Sequence, residues 1–248
     1  MSEKIGKRLF EAFPAFFYSN VVKRKATKDT VKKIFAVSFF GKGESMDLRK
    51  LLLVIVGSFI MGVGISITIA VNLGSDPMTL FWIGIANHLH ITVGQANLLV
   101  CAVLLVIVFF MDRKQIHLGS LLNPIVIALT TDAFVNLNFE GASYLLRIIL
   151  MVLGLLILAF GIAFYALADY GKGAYEALVF TLCDRFHLAV GIVRTSADIF
   201  FAILGIVLGA PAAIGTLLAI VCMGSGIQLC LKLLTSQPIK RILLKKAK

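Results

Sequence analysis

Eight polar residues stand out against an otherwise apolar sequence: Asp76, Thr79, Asn87, Asn97, Glu176, Asp184, Arg194 and Asp198. No nucleophile is paired with a base, and there is no phosphate loop or metal-ligand spacing. The chain is therefore read as a non-enzyme with no catalytic residue, no metal site and no cofactor. Inside an apolar bundle, carboxylates, amides and an arginine can bind a polar solute, relay a proton or pair with one another. Thr79 and Asn87 share a helical stripe with Ile83 and His90, and Glu176 and Asp184 share one with Phe180 and His187. Such a stripe faces a bundle interior or a cavity. Arg194 and Asp198 are four residues apart and can pair along one helix face. An ionised group at mid-bilayer costs roughly 2.5–3.5 kcal/mol on insertion scales, so each needs a partner. Three readings stay open for the charged set: a structural ion pair, a substrate or proton-coupling site, and placement at the membrane interface. Asp76 has two, as the N-cap of a helix that Pro77 opens, or as part of a helix N-terminus aimed into the membrane.

The elements that must position these residues are membrane helices. The chain is 59% hydrophobic with a mean hydropathy of +0.96, which excludes a soluble globular domain of 248 residues. No charge interrupts Leu51 to Val71. That run is too long, and follows too much basic chain, for a cleavable signal peptide. The net charge of +11 does not indicate nucleic acid. Residues 1–50 hold 12 basic and 5 acidic residues, residues 232–248 hold 6 basic and none acidic, and the body between holds 6 basic and 8 acidic. Basic flanks mark the cytoplasmic side and attract anionic lipid headgroups, so both termini are expected in the cytoplasm. Cys101, Cys183, Cys222 and Cys230 lie singly in apolar segments and read as packing residues.

Long helices are predicted at about 50–71, 96–111, 119–138, 144–168, 191–209 and 214–235, with shorter ones at about 77–90 and 174–188. Fourteen residues rise about 21 Å, short of the roughly 30 Å hydrocarbon core, so the short pair read as re-entrant or half-helices. Shifted by 97, Gly74 falls on Gly171, His90 on His187 and Gly94 on Gly191. Shifted by 96, "LGSLL" at 118–122 falls on "IGTLL" at 214–218. The expected fold is thus all-α: a polytopic membrane helix bundle of two tandem repeats, each of three long spans plus one short helix. Its segments are a basic interfacial extension (1–49), repeat 1 (50–138), repeat 2 (144–235) and a basic tail (236–248). Six crossings keep Arg113, Lys114, Lys172 and Arg185 with the termini and leave Arg147 opposite; eight crossings do not. Asp132 and Gln228, equivalent across the repeat, suggest a further polar layer. Ser120 and Thr216 read as caps, and "GVG" at 62–64 as close helix packing.

The stretches "LGSDPMTLFWIGIANHLHITVGQANLLV" and "IHLGSLLNP", followed by "GKGAYEALVF" and "VRTSADIFFAILGIVLGAPAAIGTLL", resemble the YczE/YyaS/YitT family of bacterial integral membrane proteins. The likeness covers about residues 50–235 and is strongest to the YczE-like branch, where the Arg194/Asp198 pair and the LG-x5-GT ending recur. It departs at Tyr175-Glu176, where the family usually carries Arg-Asp. The basic extension is also unusual for the family, and no soluble domain follows the last span, unlike the YitT branch. The resemblance implies a bacterial inner-membrane, multi-pass protein and a transporter or exporter of an unidentified small solute, with Asp76, Glu176, Arg194 and Asp198 as site positions. The rival expectation is a non-transporting membrane scaffold or regulatory partner. Association with further copies of the chain stays open.

Overall fold

The computed structural model describes residues 48–235, and the expectations for the basic extension and tail lie outside them. The described residues are all-helical. Eight α-helices follow one another: α1 (Leu48–Ala70), α2 (Pro77–Leu89), α3 (Val93–Met111), α4 (Leu118–Ala133), α5 (Tyr144–Ala166), α6 (Ala174–Phe186), α7 (Val190–Val207) and α8 (Ile214–Leu234). A 3-10 turn, Arg113–Gln115, joins α3 to α4. α1, α3, α5, α7 and α8 are long and apolar enough to cross a membrane. α4, also apolar, has 16 residues, rises about 24 Å and is shorter than those five.

Helix boundaries follow local chemistry. α3 starts earlier than the hydrophobic pattern predicts because Thr92 and Gln95 form a reciprocal capping box. α4 stops at Ala133 rather than continuing to 138. Val135 and Leu137 there close tight turns onto Asp132 and Phe134, and the Asn138 side chain accepts from Glu140 N.

At the centre, α1 and α5 pack as an antiparallel pair along a seam of small residues. Gly57 lies on Tyr165, Gly161 on Met61, Gly64 on Leu158 and Gly154 on Thr68. A Cβ at Gly64 would stand 2.6 Å from Leu158 N and 2.8 Å from Gly154 O, so only hydrogen fits. The expected close packing at Gly62–Gly64 is found, with Gly62 seated on Thr130 of α4.

The other helices dress this pair. α4 lies on α1 and runs parallel to it, with Val54 near Gly119, Ser58 bonded to Asn123 and Gly62 near Thr130. α8 lies on α5, Gly215 meeting Met151 and Gly226 meeting Ala159. α2 packs on α7, and α6 packs on α3. Exchanging the first four helices for the last four carries each of these partnerships onto another. Two backbone bonds correspond in the same way, Gly119 N to Tyr170 O and Gly215 N to Leu73 O, each 2.8 Å. Gly74 and Gly171, both at positive φ, sit against the hydroxyls of Thr216 and Ser120 respectively. Thr216 is thus more than a local cap, because its Oγ1 accepts from Ser75 N across the bundle.

These contacts define two ends. Phe139 N bonds Ala70 O, and Asp132 holds the start of α3, so α1 ends, α4 ends and α3 begins at one end. The chain between α1 and α3 therefore enters and leaves on the same side. Residues 72–76 run inward and α2 returns, with Phe81 beside Phe201 and Gly84 beside Gly205 and Leu208 as α7 heads the same way. α6 makes the equivalent excursion from the opposite end, leaving beside Tyr170 and returning to α7. α2 and α6 thus each turn back toward the end from which their segments enter, and Leu48 and Leu234 lie at one end of the bundle.

The two halves differ in how tightly they close. Asp132 accepts from Thr92 Oγ1 at 2.7 Å and from Gly94 N at 2.9 Å, tying α4 to α3. The corresponding Gln228 is exposed, Gly191 has nothing within 4 Å, and the α7 N-cap, Ala189, offers no side-chain bond. The second polar layer is thus present in the first half alone. Asp132→Ala should lower stability by about 1–3 kcal/mol, because two donors lose a charged acceptor. A melting curve in detergent checks this, and Gln228→Ala should leave that curve in place.

Candidate functional site

The segment 72–76 delivers Asp76 to the interior. Asp76 is the N-cap of α2, accepting from Thr79 N at 3.3 Å, with Pro77 as the first helical residue. That satisfies Oδ1. Oδ2 is buried without a hydrogen-bond partner, and so are Thr79 Oγ1 and Trp82 Nε1 nearby on α2. A carboxylate oxygen with no donor is costly in an apolar interior, and the Thr79 hydroxyl is the side-chain donor placed to serve Asp76.

Across from it, α7 carries Arg194 and Asp198. Their closest atoms, Nε and Oδ2, are 3.9 Å apart, within ion-pair range but too long for a hydrogen bond. α6 completes the group with Tyr175. Its hydroxyl donates to Asp198 Oδ1 and lies 3.4 Å from Arg194 O, and the Arg194 guanidinium carbon sits 5.5 Å from the Tyr175 ring centroid. Asp76 and Asp198 are near enough to sense each other's charge. Phe201 forms the floor, 5.3 Å from the Phe81 ring and 6.0 Å from the Tyr175 ring. Arg194 thus pairs with Asp198, and Asp76 lies within electrostatic reach of Asp198, in a largely aromatic setting.

A second cluster surrounds Glu176, one residue on from Tyr175 but on another face of α6. Glu176 lies within electrostatic reach of Cys101, Tyr165 and Lys172, and its Oε2 is 2.5 Å from where a Cβ on Gly173 would be. Lys172 is buried, bonds Gln115 Oε1 at 2.6 Å and stands 3.8 Å over the Phe180 ring. Gln115 also donates to Asp112 at 2.9 Å and, more weakly, to Asp184 at 3.5 Å. Asn97 is fully engaged as a brace, donating to Pro124 O at 3.0 Å and accepting from Cys101 Sγ at 3.1 Å. Pro124 interrupts α4, so this bond ties α3 to the helix at its weakest turn.

A family model described as a family of unknown function, DUF6198, matches residues 48–232. The chain belongs to that family. Among DUF6198-like relatives, an uncharacterized protein of Haemophilus influenzae is 33% identical over 180 residues, covering 72% of this chain and 82% of the relative. The uncharacterized protein YyaS of Bacillus subtilis is 27% identical over 172 residues, covering 68% and 85%. The uncharacterized membrane protein YczE of the same organism is 28% identical over 171 residues, covering 68% and 79%. The likeness to YyaS and YczE expected from the sequence is thus found. No solved structure matches.

In this DUF6198 member the polar residues read from sequence fall into two groups. Asp76, Thr79, Arg194 and Asp198 converge at the α2–α7 contact. Glu176, Asp184 and Asn97 belong to the α3–α6 side, and Asp184 is itself exposed. Asn87 is also exposed near the end of α2 and touches neither group. His90 and His187 close α2 and α6 in the left-handed conformation and face outward, as helix-end residues. Sequence reasoning did not place Tyr175, Lys172 or Gln115 in a site. Tyr175 stood out only as the departure from Arg in the family pattern, and its bond to a residue 23 positions away has no local signature. Among the described residues, no group of three or more His, Cys, Asp or Glu is arranged to hold a metal ion.

Proposed function

We propose that this membrane protein is a secondary transporter of a small solute, built from two inverted repeats of four helices. On this reading both termini are cytoplasmic and the protein lies in a bacterial inner membrane. The observation that carries it is the incompletely satisfied Asp76–Tyr175–Arg194–Asp198 cluster, where the start of a re-entrant helix meets a helix of the opposite half. Charges at such depth need a use, because an apolar contact of the same size would hold helices together at lower cost. Re-entrant helices whose N-termini meet at a pseudo-symmetric interface are a recurrent architecture of transporter binding sites. Arg113, Lys114 and Arg185 lie toward the end where Leu48 and Leu234 emerge, which supports the cytoplasmic assignment. The looser second half offers the moving part, since α7 is tied at fewer points than its counterpart α3.

The test is electrogenic or pH-driven flux in proteoliposomes, challenged in turn with amines, amino acids, organic acids and sugars. A wild-type signal that disappears in Asp198→Asn, with that variant still monodisperse, is expected. If no solute class gives a signal while the wild type remains folded, transport fails and the scaffold reading takes its place.

A further inference from the structure

The start of α7 and the end of α8 lie at the end of the bundle where Leu48 and Leu234 lie, and their contact is unfinished. Shifted by 97, Gly94 of α3 falls on Gly191 of α7; shifted by 96, Ala128 and Asp132 of α4 fall on Gly224 and Gln228 of α8. In the first half these residues meet. A Cβ on Gly94 would stand 2.6 Å from Ala128 O and 2.6 Å from Asp132 Cγ, and Gly94 N donates to Asp132 Oδ1 at 2.9 Å. In the second half, among the described residues, nothing comes within 4 Å of a Cβ at Gly191 or at Gly224, and Gln228 is exposed.

Gly191 and Gly224 are therefore glycines that this arrangement does not use. Neither lies at positive φ, neither is pressed by a neighbour, and a glycine weakens a helix relative to alanine. Close approach of two helix backbones is the remaining use, and Gly94 on Ala128 gives its pattern. The hydrogen-bonding groups are retained as well. Gly191, second residue of α7, has an N–H with no partner inside its own helix, and Gln228 offers an acceptor oxygen where Asp132 has one. What is lost is strength. The carboxylate has become a neutral amide, and Thr92, whose hydroxyl bonds Asp132 at 2.7 Å, has become Ala189. One neutral bond thus stands in for two to a charged acceptor, each about twice as strong. A contact that opens and closes needs such a weak bond; a fixed one does not.

We propose that α7 and α8 form a gate at this end, open in the present arrangement and closed when Gly191 seats on Gly224 O and donates to Gln228 Oε1. Arg194 and Asp198 follow Gly191 by three and seven residues, on the same stripe of α7. The matching stripe of α3 is fastened to α4 further along as well, since Asn97, three residues after Gly94, donates to Pro124 O at 3.0 Å. Closure brings α8 against the stripe that carries the charged pair and shuts this end of the bundle to it. The far part of α7 is the fixed point, because a Cβ on Gly205 would stand 2.7 Å from Leu80 O and the two helices there admit no slack. The gate itself needs no solute; only its consequence, control of flux, rests on the transport reading.

The test is a disulfide between Gly191→Cys and Gln228→Cys, formed by mild oxidation of the full-length chain in proteoliposomes. The exposed Cys222 and half-buried Cys230 are changed to serine, and the buried Cys101 and Cys183 are kept. A disulfide holds its Cβ atoms about 3.8 Å apart. No described atom comes that close to a Cβ at Gly191, so linkage reports an approach of α7 to α8. Gly191→Cys with Ser225→Cys is the control for loose collision. Ser225 is also exposed, and its counterpart Leu129 stays 69% exposed although α3 and α4 are joined, so seating leaves it outside. Intramolecular linkage of the 191–228 pair at least tenfold faster than the control is expected. Equal rates for the two pairs overturn the proposal, and so does no linkage in protein whose thiols still react with a maleimide. Flux in the same vesicles should fall at least tenfold on linkage and return with dithiothreitol. Specific linkage in protein that carries no solute sinks transport and leaves the gate standing, whereas linked protein that transports at the wild-type rate keeps transport and overturns the gate.

Discussion

Gly64→Val is expected to abolish recovery of folded, monodisperse protein. The new side chain has no free volume to enter, because a Cβ at this position meets Leu158 N at 2.6 Å and Gly154 O at 2.8 Å. Both are backbone atoms of α5, so no rotamer change can relieve the clash. α1 and α5 would have to part along the seam that places every other helix. Ordinary overpacking of a core costs about 1–3 kcal/mol, and separating the central pair should exceed that, against a typical stability of about 5–15 kcal/mol. The seam also gains nothing from water exclusion, since lipid covers the alternative state as well, and close van der Waals contact is its main support. Gly224→Ala is the matched control: that glycine lies in α8 with nothing within 4 Å, so the variant should purify like the wild type. Fluorescence-detected size exclusion of the two variants reads the difference. A monodisperse Gly64→Val peak at wild-type yield would mean that the α1–α5 contact is not the organising pair.

The glycines show what a sequence makes legible in such a protein. Helix existence is written in apolar run lengths, and the ends are written in caps, so α1, α2, α5, α6 and α8 begin within a few residues of where the pattern puts them. The 97-residue offset between Gly74 and Gly171 or His90 and His187 is equally open to inspection, because backbone turns at positive φ demand particular residues. Which faces meet is another matter. Thr79 and Asn87 share a stripe, yet the first is fully buried and the second exposed, because α2 is buried at its start and reaches the surface at its end. Asn97 looked like the counterpart of Arg194 and sits at the matching place on α3, but it spends its hydrogen bonds on Pro124 and Cys101. Equivalent positions thus do structural work in one half and carry charge in the other. Tyr175 was hidden for a simple reason: an apolar ring with one hydroxyl looks like core until the helix facing it is known.

The largest effect on activity is expected at Arg194, and the informative experiment changes both members of its pair. Arg194→Ala leaves Asp198 with the Tyr175 hydroxyl as its remaining close partner and Asp76 as a charged neighbour of the same sign. Breaking a fully buried pair from one side costs about 3–5 kcal/mol; this pair is half-buried, with side chains 24% and 15% exposed, so the variant should melt below the wild type by less than that and show no flux. Arg194→Met combined with Asp198→Leu removes both charges and replaces them with groups of similar bulk. If the pair only held α6, α7 and α2 together, apolar contact would serve as well or better, and the double variant should regain both stability and flux. The transport reading expects the two readouts to separate: melting returns to within a few degrees of the wild type, while flux stays at the level of empty liposomes. Tyr175→Phe adds a graded point, since it removes one donor from Asp198 and keeps the ring over which Arg194 lies. It should cost about 1–3 kcal/mol in stability. A double variant that transports normally would reduce the cluster to a helix clamp, and Asp76, with its unpartnered oxygen, would then need another explanation.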